Sequence, residues 1–460
     1  MADQPQAGAS AALSPSSGRP GRLAAGLRAP LYANAFYVWV NQAGTGLAGF
    51  LFWALAARLY NADEVGRGAA AFGILTLLSV VSTLGLGLAL IRFYPEVGAG
   101  GTRLINLVLT ASAAAAILTA GLFLAGVALW APKLDFLLAN PFYALSFVVF
   151  VIVATLTTIQ VQAFIALRQG RYILFQVLCV QLSRLALAAV LVGAFGLVAA
   201  GGVAFLLGGL ASFVFLARAL PGYRPAPVVD PRGVLKLMPF SLTNYLANFF
   251  IMAPALLVPA MVVNIIGSTQ GAYFYAAWFI GYLPISFSTS LGTSLFAEGS
   301  HAPRALGALS RRAVTSALLI AAVAAILLLA LAHQILLAFG SDYAREGANV
   351  LRIMALSSLP GAVVNVYLGT LRVLKRGREL VLVTGLSAVA TLVLAAVLAR
   401  SVGMEGAAAA AALGQVVGLL VVLRRVIAAA EGSIGARLRS VFAVAGPASA
   451  QSPAGGDSHS

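Results

Sequence analysis

The chain is a succession of long apolar runs separated by short polar turns. Twelve runs stand out, at about 34–57, 69–91, 104–130, 142–167, 172–197, 199–217, 239–264, 271–296, 313–339, 350–374, 380–399 and 404–423. Each is close to or above the roughly 20 residues that carry an α-helix across a bilayer. None alternates with the period of two that a barrel strand needs, so the pattern predicts helices. Composition agrees: 61% of residues are hydrophobic and 9% charged, which excludes an ordinary soluble protein. The expected fold class is an all-α polytopic membrane protein of about twelve transmembrane helices.

The pattern also repeats. Leu167-Arg168-Gln169-Gly170-Arg171 returns as Leu374-Lys375-Arg376-Gly377-Arg378, an offset of 207. At the same offset Leu185–Leu191 aligns with Leu392–Leu398, Gly196 with Gly403, Leu206 with Leu413 and Arg218 with Arg425. A duplication is the reading, with six helices per half. The proline-rich stretch 218–238 is the expected linker between bundles at 31–217 and 239–424. An even number of spans per half gives parallel repeats, whose substrates bind between the halves around a central cavity near the midplane. Residues 1–30 and 425–460 are expected to be cytoplasmic tails, the first disordered and too poor in apolar residues for a signal peptide.

Charge sets the orientation. With the N-terminus inside, 21 basic residues fall on cytoplasmic segments and five on the outer side, with Arg184, Arg352 and Arg372 inside runs. The positive-inside rule then puts both termini in the cytoplasm, expected to be that of a bacterium, with the protein in its inner membrane. This distribution also accounts for the net charge of +16 without a nucleic-acid partner. Cys179 is the sole cysteine, and His301, His333 and His459 have no metal-ligand spacing, so no metal or cofactor is expected. Outer connections are too short for an extracytoplasmic catalytic domain, and the protein is expected not to be an enzyme.

The stretch Ala56-Ala57-Arg58-Leu59-Tyr60-Asn61-Ala62-Asp63-Glu64-Val65-Gly66, followed by a helix ending Leu84-Gly85-Leu86-Gly87-Leu88-Ala89-Leu90-Ile91-Arg92-Phe93, carries a family likeness. It resembles the polysaccharide and O-antigen flippase branch of the multidrug/oligosaccharidyl-lipid/polysaccharide exporter superfamily. The likeness in residues is clearest over about 34–96, and the twelve-helix topology extends it over about 31–425. The resemblance implies two bundles around a V-shaped cavity that opens alternately to each side. It implies as substrate a glycan on a polyprenyl (pyro)phosphate carrier, with membrane lipid and polysaccharide assembly proteins as partners.

The candidate residues follow from polarity within apolar runs. None of the thirteen acidic residues lies inside a predicted run, which speaks against the cation-coupled multidrug branch. Arg184 is expected near the middle of span five, with Gln181 one turn before it. A charge in hydrocarbon is costly and usually faces a cavity, and a guanidinium suits phosphate oxygens. The competing reading has Arg184 bonded to backbone carbonyls or snorkelling along a span whose bounds are misplaced. Arg58 and Arg92 sit at span ends, where an arginine is either an interface anchor or a ligand contact. Asn34, Tyr37, Asn41 and Thr45 form a polar stripe on the first span, and Ser241, Asn244, Tyr245 and Asn248 form one on the seventh. These amides suit sugar hydroxyls or interhelical hydrogen bonds equally. Arg184, Gln181, Arg92, Arg58, Asn41, Asn244 and Asn248 are therefore the expected substrate contacts. Pro254, Pro259 and Pro284 mark helices able to bend, and Tyr273, Tyr275, Trp278 and Tyr282 line either a sugar path or an interface belt. Three functions compete: a lipid-linked oligosaccharide flippase, a cation-coupled multidrug exporter, and an integral-membrane glycan polymerase, ligase or transferase.

Overall fold

The structure, a computed structural model, describes residues 44–97, 100–167, 169–191, 193–301 and 306–443. The helices are α1 (Gly44–Leu59), α2 (Ala62–Ser82), α3 (Leu86–Val97), α4 (Gly101–Trp130), α5 (Pro141–Ala166), α6 (Gly170–Ala188) and α7 (Gly193–Ala219). They continue with α8 (Pro231–Ile265), α9 (Ser268–His301), α10 (Leu306–Leu336), α11 (Ser341–Val373), α12 (Gly377–Val402) and α13 (Met404–Ala443). Of the stretch before Ala48 only Gly44–Leu47 is described, as the opening of α1, and the packing below lies within Ala48–Ser460.

Among the described residues ten spans are long and apolar enough to cross a membrane, α2 and α3 counting as one span, Ala62–Val97. This is a multi-pass membrane protein. α1 is short as described, and α9 is absent from the ten because Tyr, Ser, Thr and Gly dilute its apolar content. Each predicted run nevertheless corresponds to a helix, α2 with α3 serving the second.

Several boundaries differ from the sequence expectation. The run 172–197 is two helices, because the chain turns after Ala188 and Gly193 adopts φ +76°, a left-handed conformation that glycine tolerates best. Arg184 is therefore four residues from the end of α6, not near the middle of a span. The linker is non-helical only from 220 to 230, since Asp230 Oδ1 accepts from Gly233 N at 2.9 Å and starts α8 at Pro231. The predicted tail from 425 is helical to Ala443. α2 starts at Ala62 rather than 69, because Asn61 and Glu64 form a reciprocal capping box.

The repeat holds in the backbone. Gln169 (φ −106°, ψ 57°) and Arg376 (φ −86°, ψ 64°) are both N-caps, of α6 and α12. Gln169 N donates to Phe164 O at 2.9 Å and Arg376 N to Leu371 O at 3.0 Å. The two basic turns thus close the same six-residue loop, each at the end of the fourth span of its half when α2 and α3 count as one.

The halves are not joined evenly along their length. One core cluster crosses between them near the end of the bundle where α1 meets α2, combining Phe52, Trp53 and Leu197 with Val258, Phe274, Trp278 and Phe339. Toward the other end the cores separate. Leu86, Ile105, Ile159, Phe164 and Leu216 pack in the first half, whereas Ala247, Leu368 and Val383 pack in the second. Apart from the opening turns of α8, which pack on the first half through Leu237, the two bundles have independent interiors there.

Candidate functional site

The junction is built by the same residues that carried the family likeness. Arg58 Nε and Nη2 donate to Ala338 O at 3.1 Å and Leu337 O at 2.7 Å, capping the carbonyl end of α10 in the other half. The Tyr60 hydroxyl donates to Ala188 O at 2.8 Å and also meets Leu191 O, closing the end of α6. Asp63 accepts from the Ser268 hydroxyl at the start of α9 and pairs with Arg67. At Gly66 the two backbones meet so closely that a Cβ would lie 1.8 Å from Ser268 O. This end of the described bundle is closed.

Just below it lies Arg184. Its guanidinium carbon is 3.8 Å from the centre of the Phe52 ring, 4.3 Å from Phe72 and 5.5 Å from Trp53. Trp53 in turn meets Tyr275 of α9 edge-on, with centroids 4.6 Å apart, so the box touches the second half. Although the Arg184 backbone is near the end of α6, helical side chains lean toward the N-terminus. Phe52 and Phe72 lie seven and ten residues from their helix ends at the junction, which is about 10–15 Å at about 1.5 Å per residue. The charge therefore sits about two to three helical turns inside the closed end of the bundle.

The rings hold the cation but do not satisfy it. Arg184 keeps partial exposure, yet Nε and Nη2 are sealed from solvent and have no hydrogen-bond partner. The reading that Arg184 bonds backbone carbonyls is not what the structure shows. Cation–π contact in a desolvated site contributes about 2 kcal/mol or more. Each orphaned charged donor costs more than the about 1–3 kcal/mol of a neutral one. Such a group is a strong receiver for an anion.

The other candidates divide. Gln181 shares α6 with Arg184, one turn away, and is partly exposed. Asn244 and Asn248 are exposed, one turn apart on α8, and the hydroxyl of Tyr245, between them in the chain, donates to Val81 O at 2.7 Å. Thr293 and Ser294 of the neighbouring α9 are exposed as well. Exposed amides and hydroxyls on membrane-spanning helices mark a water-filled face. Arg92 is exposed on α3 and pairs with Glu96 at 2.5 Å. Arg58 is committed to the junction. Asn34, Tyr37 and Asn41, like the Ser241 side chain, lie outside the described residues. The aromatic run is spent inside the protein: Tyr273 packs on Tyr343, Trp278 Nε1 donates to Ala255 O at 3.1 Å, and Tyr282 lines a cavity of the second half.

That cavity was not foreseen from sequence. It measures about 60 Å³ and is bordered by Trp278, Tyr282, Thr384, Ser387, Thr391 and Gln415. Its signal was present as a polar stripe, Thr384, Ser387 and Thr391, at helical spacing within an apolar run.

The comparisons with known proteins settle the family. The profile described as "Polysaccharide biosynthesis protein" matches residues 31–297, more than half of the chain. The chain belongs to this family. A second profile, MatE, matches residues 239–397. No curated protein sequence matches it. In fold it is similar to the lipid II flippase MurJ in an inward closed conformation, with TM-score 0.66, 14% identity, and 85% and 87% of the two chains covered. It is also similar to an inward-facing multidrug resistance MATE family transporter of the MOP superfamily, with TM-score 0.63, 13% identity, and 82% and 92% covered. A third is a MOP superfamily transporter from Pyrococcus furiosus Vc1, with TM-score 0.52, 15% identity, and 82% and 92% covered. This member of the polysaccharide biosynthesis family thus has the fold of the MOP superfamily, the multidrug/oligosaccharidyl-lipid/polysaccharide exporters.

The helices overrun the predicted apolar runs, so several acids do fall inside helices. Asp63 and Glu64 are in the first turn of α2, Glu379 of α12 and Glu405 of α13, with Asp342 in that of α11. Glu96 is near the end of α3 and Glu298 near the end of α9. All these acids sit at helix ends, away from the Arg184 box.

Proposed function

We propose that the protein flips a polyprenyl-(pyro)phosphate-linked oligosaccharide across the bacterial cytoplasmic membrane by alternating access, for export of cell-surface polysaccharide. The observation that carries this reading is Arg184, a guanidinium packed among rings inside the bundle with two sealed, unpartnered donors. Its aromatic box touches the second half. A phosphate of the carrier supplies the missing acceptors, and Arg binds phosphate through paired hydrogen bonds. Gln181, Asn244 and Asn248 offer amides to sugar hydroxyls, Arg92 stands at the inner mouth, and Asn41 completes the proposed set. The outer junction is closed while the inner cores are separate, an arrangement that receives substrate from the cytoplasm with both termini inside. The polyprenyl tail stays in lipid. Enzymes that build and polymerise the glycan are the partners such a step requires.

The match of residues 239–397 to MatE favours a second reading, cation-coupled export of small amphiphiles. The two part on substrate. Purified protein in liposomes is to be given a fluorescent polyprenyl-pyrophosphate oligosaccharide in one arm and a cationic dye with a sodium or proton gradient in the other. The flippase reading expects the glycolipid to become accessible on the opposite leaflet and the dye to remain where it was loaded. Gradient-driven dye movement without glycolipid translocation would reverse the assignment.

A further inference from the structure

The linker between the halves is tied to the first bundle. The Tyr223 hydroxyl donates to Asn106 Oδ1 at 3.0 Å, and Asn106 Nδ2 donates to Arg224 O at 2.8 Å. Val228 N donates to Thr110 Oγ1 at 3.0 Å, while Arg103 stands 3.8 Å from Asp230. Burial pushes the Tyr223 phenol up to about 12, so it keeps its proton and its donor role at neutral pH. The segment Pro225-Ala226-Pro227 is thereby held as a strap across α4, α5 and α7.

Beneath the strap is a groove of about 460 Å³, walled by Leu109, Ala113, Ile117, Leu156 and Phe213. Asn106 and Thr110 also border it, but the Asn106 amide and the Thr110 hydroxyl are engaged by the strap, and Thr110 also donates to Asn106 O at 2.8 Å. What remains is apolar, with little to offer water or a sugar. From Asn106 to Ile117 the groove follows α4 for about 16 Å, at about 1.5 Å per residue. That is close to half of the roughly 30 Å hydrocarbon layer, the depth of one leaflet. The groove shares no lining residue with the Arg184 box.

Its mouth is basic. Arg103, Arg218, Arg224, Arg232 and Lys236 are all exposed around the strap, with Asp230 as the acid among them. Interleaved with them, Val229 and Leu235 are 84% and 65% exposed. Exposed aliphatic side chains among arginines are the composition of a segment lying at a membrane surface. Basic clusters there attract anionic headgroups.

We infer that this groove is a binding site for an anionic phospholipid, with one acyl chain between α4, α5 and α7 under the strap and the headgroup on the arginines at its mouth. Because the strap also leads into α8, the bound lipid bridges the two halves at their connection. The site depends on the helices spanning a bilayer and not on the identity of the transported substrate.

The test uses full-length protein in lipid nanodiscs containing phosphatidylglycerol or phosphatidylcholine with identical photoreactive acyl chains, and adducts mapped by peptide mass spectrometry. Labelling of 106–117 is expected to favour phosphatidylglycerol by about fivefold or more. Ala113→Trp, which fills the groove, is expected to remove most of that labelling while leaving labelling of the exposed α10 residues Leu319 and Ile326 unchanged, a control for folding. Arg224→Gln with Arg232→Gln, both at exposed positions, is expected to bring the preference toward parity. Equal labelling by the two lipids, or labelling indifferent to Ala113→Trp in a protein that keeps its α10 pattern, would overturn the site. So would displacement of the probe by polyprenyl phosphate but not by excess unlabelled phosphatidylglycerol, an outcome that gives the groove to the carrier's tail.

Discussion

The two halves share a frame and differ in what fills it. At the offset of 207, Arg184 of α6 meets Thr391 of α12, and Phe72 of α2 meets Phe279 of α9. In the first half the position carries a guanidinium packed among rings. In the second, the Thr391 hydroxyl turns back to Ser387 O at 2.8 Å and borders the cavity of about 60 Å³. A cavity of that size, with several hydroxyls and an amide in its otherwise apolar lining, has room for a few waters. The comparison teaches that the repeat supplies backbone geometry, seen in the matched turns at Gln169 and Arg376, while single substitutions supply chemistry. One half was given a charge packed directly on rings; the other has a threonine beside a small cavity.

The sharpest way to break this comparison is to give the second half the same charge. Thr391→Arg puts a cation beside a cavity of about 60 Å³ whose lining includes Phe250, Trp278 and Tyr282 but no acid to pair with it. An uncompensated buried charge costs about 3–5 kcal/mol, so folded protein extracted from membranes is expected to fall severely by fluorescence-detected size exclusion. Wild-type yield and elution would mean that the halves are interchangeable at this position. A smaller effect sharpens the contrast between rings. Phe72→Leu removes a face from the Arg184 box, and the combined loss of cation–π contact and packing is expected at about 2–4 kcal/mol. Phe279→Leu, at the equivalent position, removes packing alone. The melting temperature of purified protein is therefore expected to drop further for Phe72→Leu, and equal drops would remove the cation from the explanation. The smallest effect belongs to Ser387→Ala. Ser387 Oγ is buried without a partner in the protein, so its loss is expected to change stability by only about 0.5 kcal/mol. A loss above about 2 kcal/mol in denaturant titration would show that the hydroxyl holds a partner the cavity retains.

Much of this frame was legible because it is written in local signals. Apolar run length located the helices, and the twice-used basic turn located the repeat. Even α9, diluted by Tyr273, Tyr275, Ser286 and Ser290, stood out as a run. What failed was the end of α6. Leu185 to Leu197 stays apolar through the break, and hydropathy cannot register the turn at Gly193. The start of α2 was misplaced for a related reason: the charged Asp63 and Glu64 look like a loop, yet Glu64 completes a helix cap on Asn61. The site was legible only as residue types. Arg58 finds its partners 279 and 280 residues away, at Leu337 and Ala338. Arg184 finds its rings on α1 and α2. Such pairings depend on tertiary packing, so Arg58, a candidate ligand contact by sequence, turns out to be a helix cap at the junction.

The central claim is that Arg184 serves transport and not merely packing. Flipping of a polyprenyl-pyrophosphate oligosaccharide in reconstituted vesicles, normalised to folded protein, should be compared for wild type, Arg184→Lys and Arg184→Gln. Losing a hydrogen bond to a charged group costs about 1.5–3 kcal/mol, so Arg184→Gln is expected to flip about tenfold or more slowly. Arg184→Lys, keeping the charge without the paired donors, is expected to fall between them. Wild-type flipping by well-folded Arg184→Gln would contradict the account.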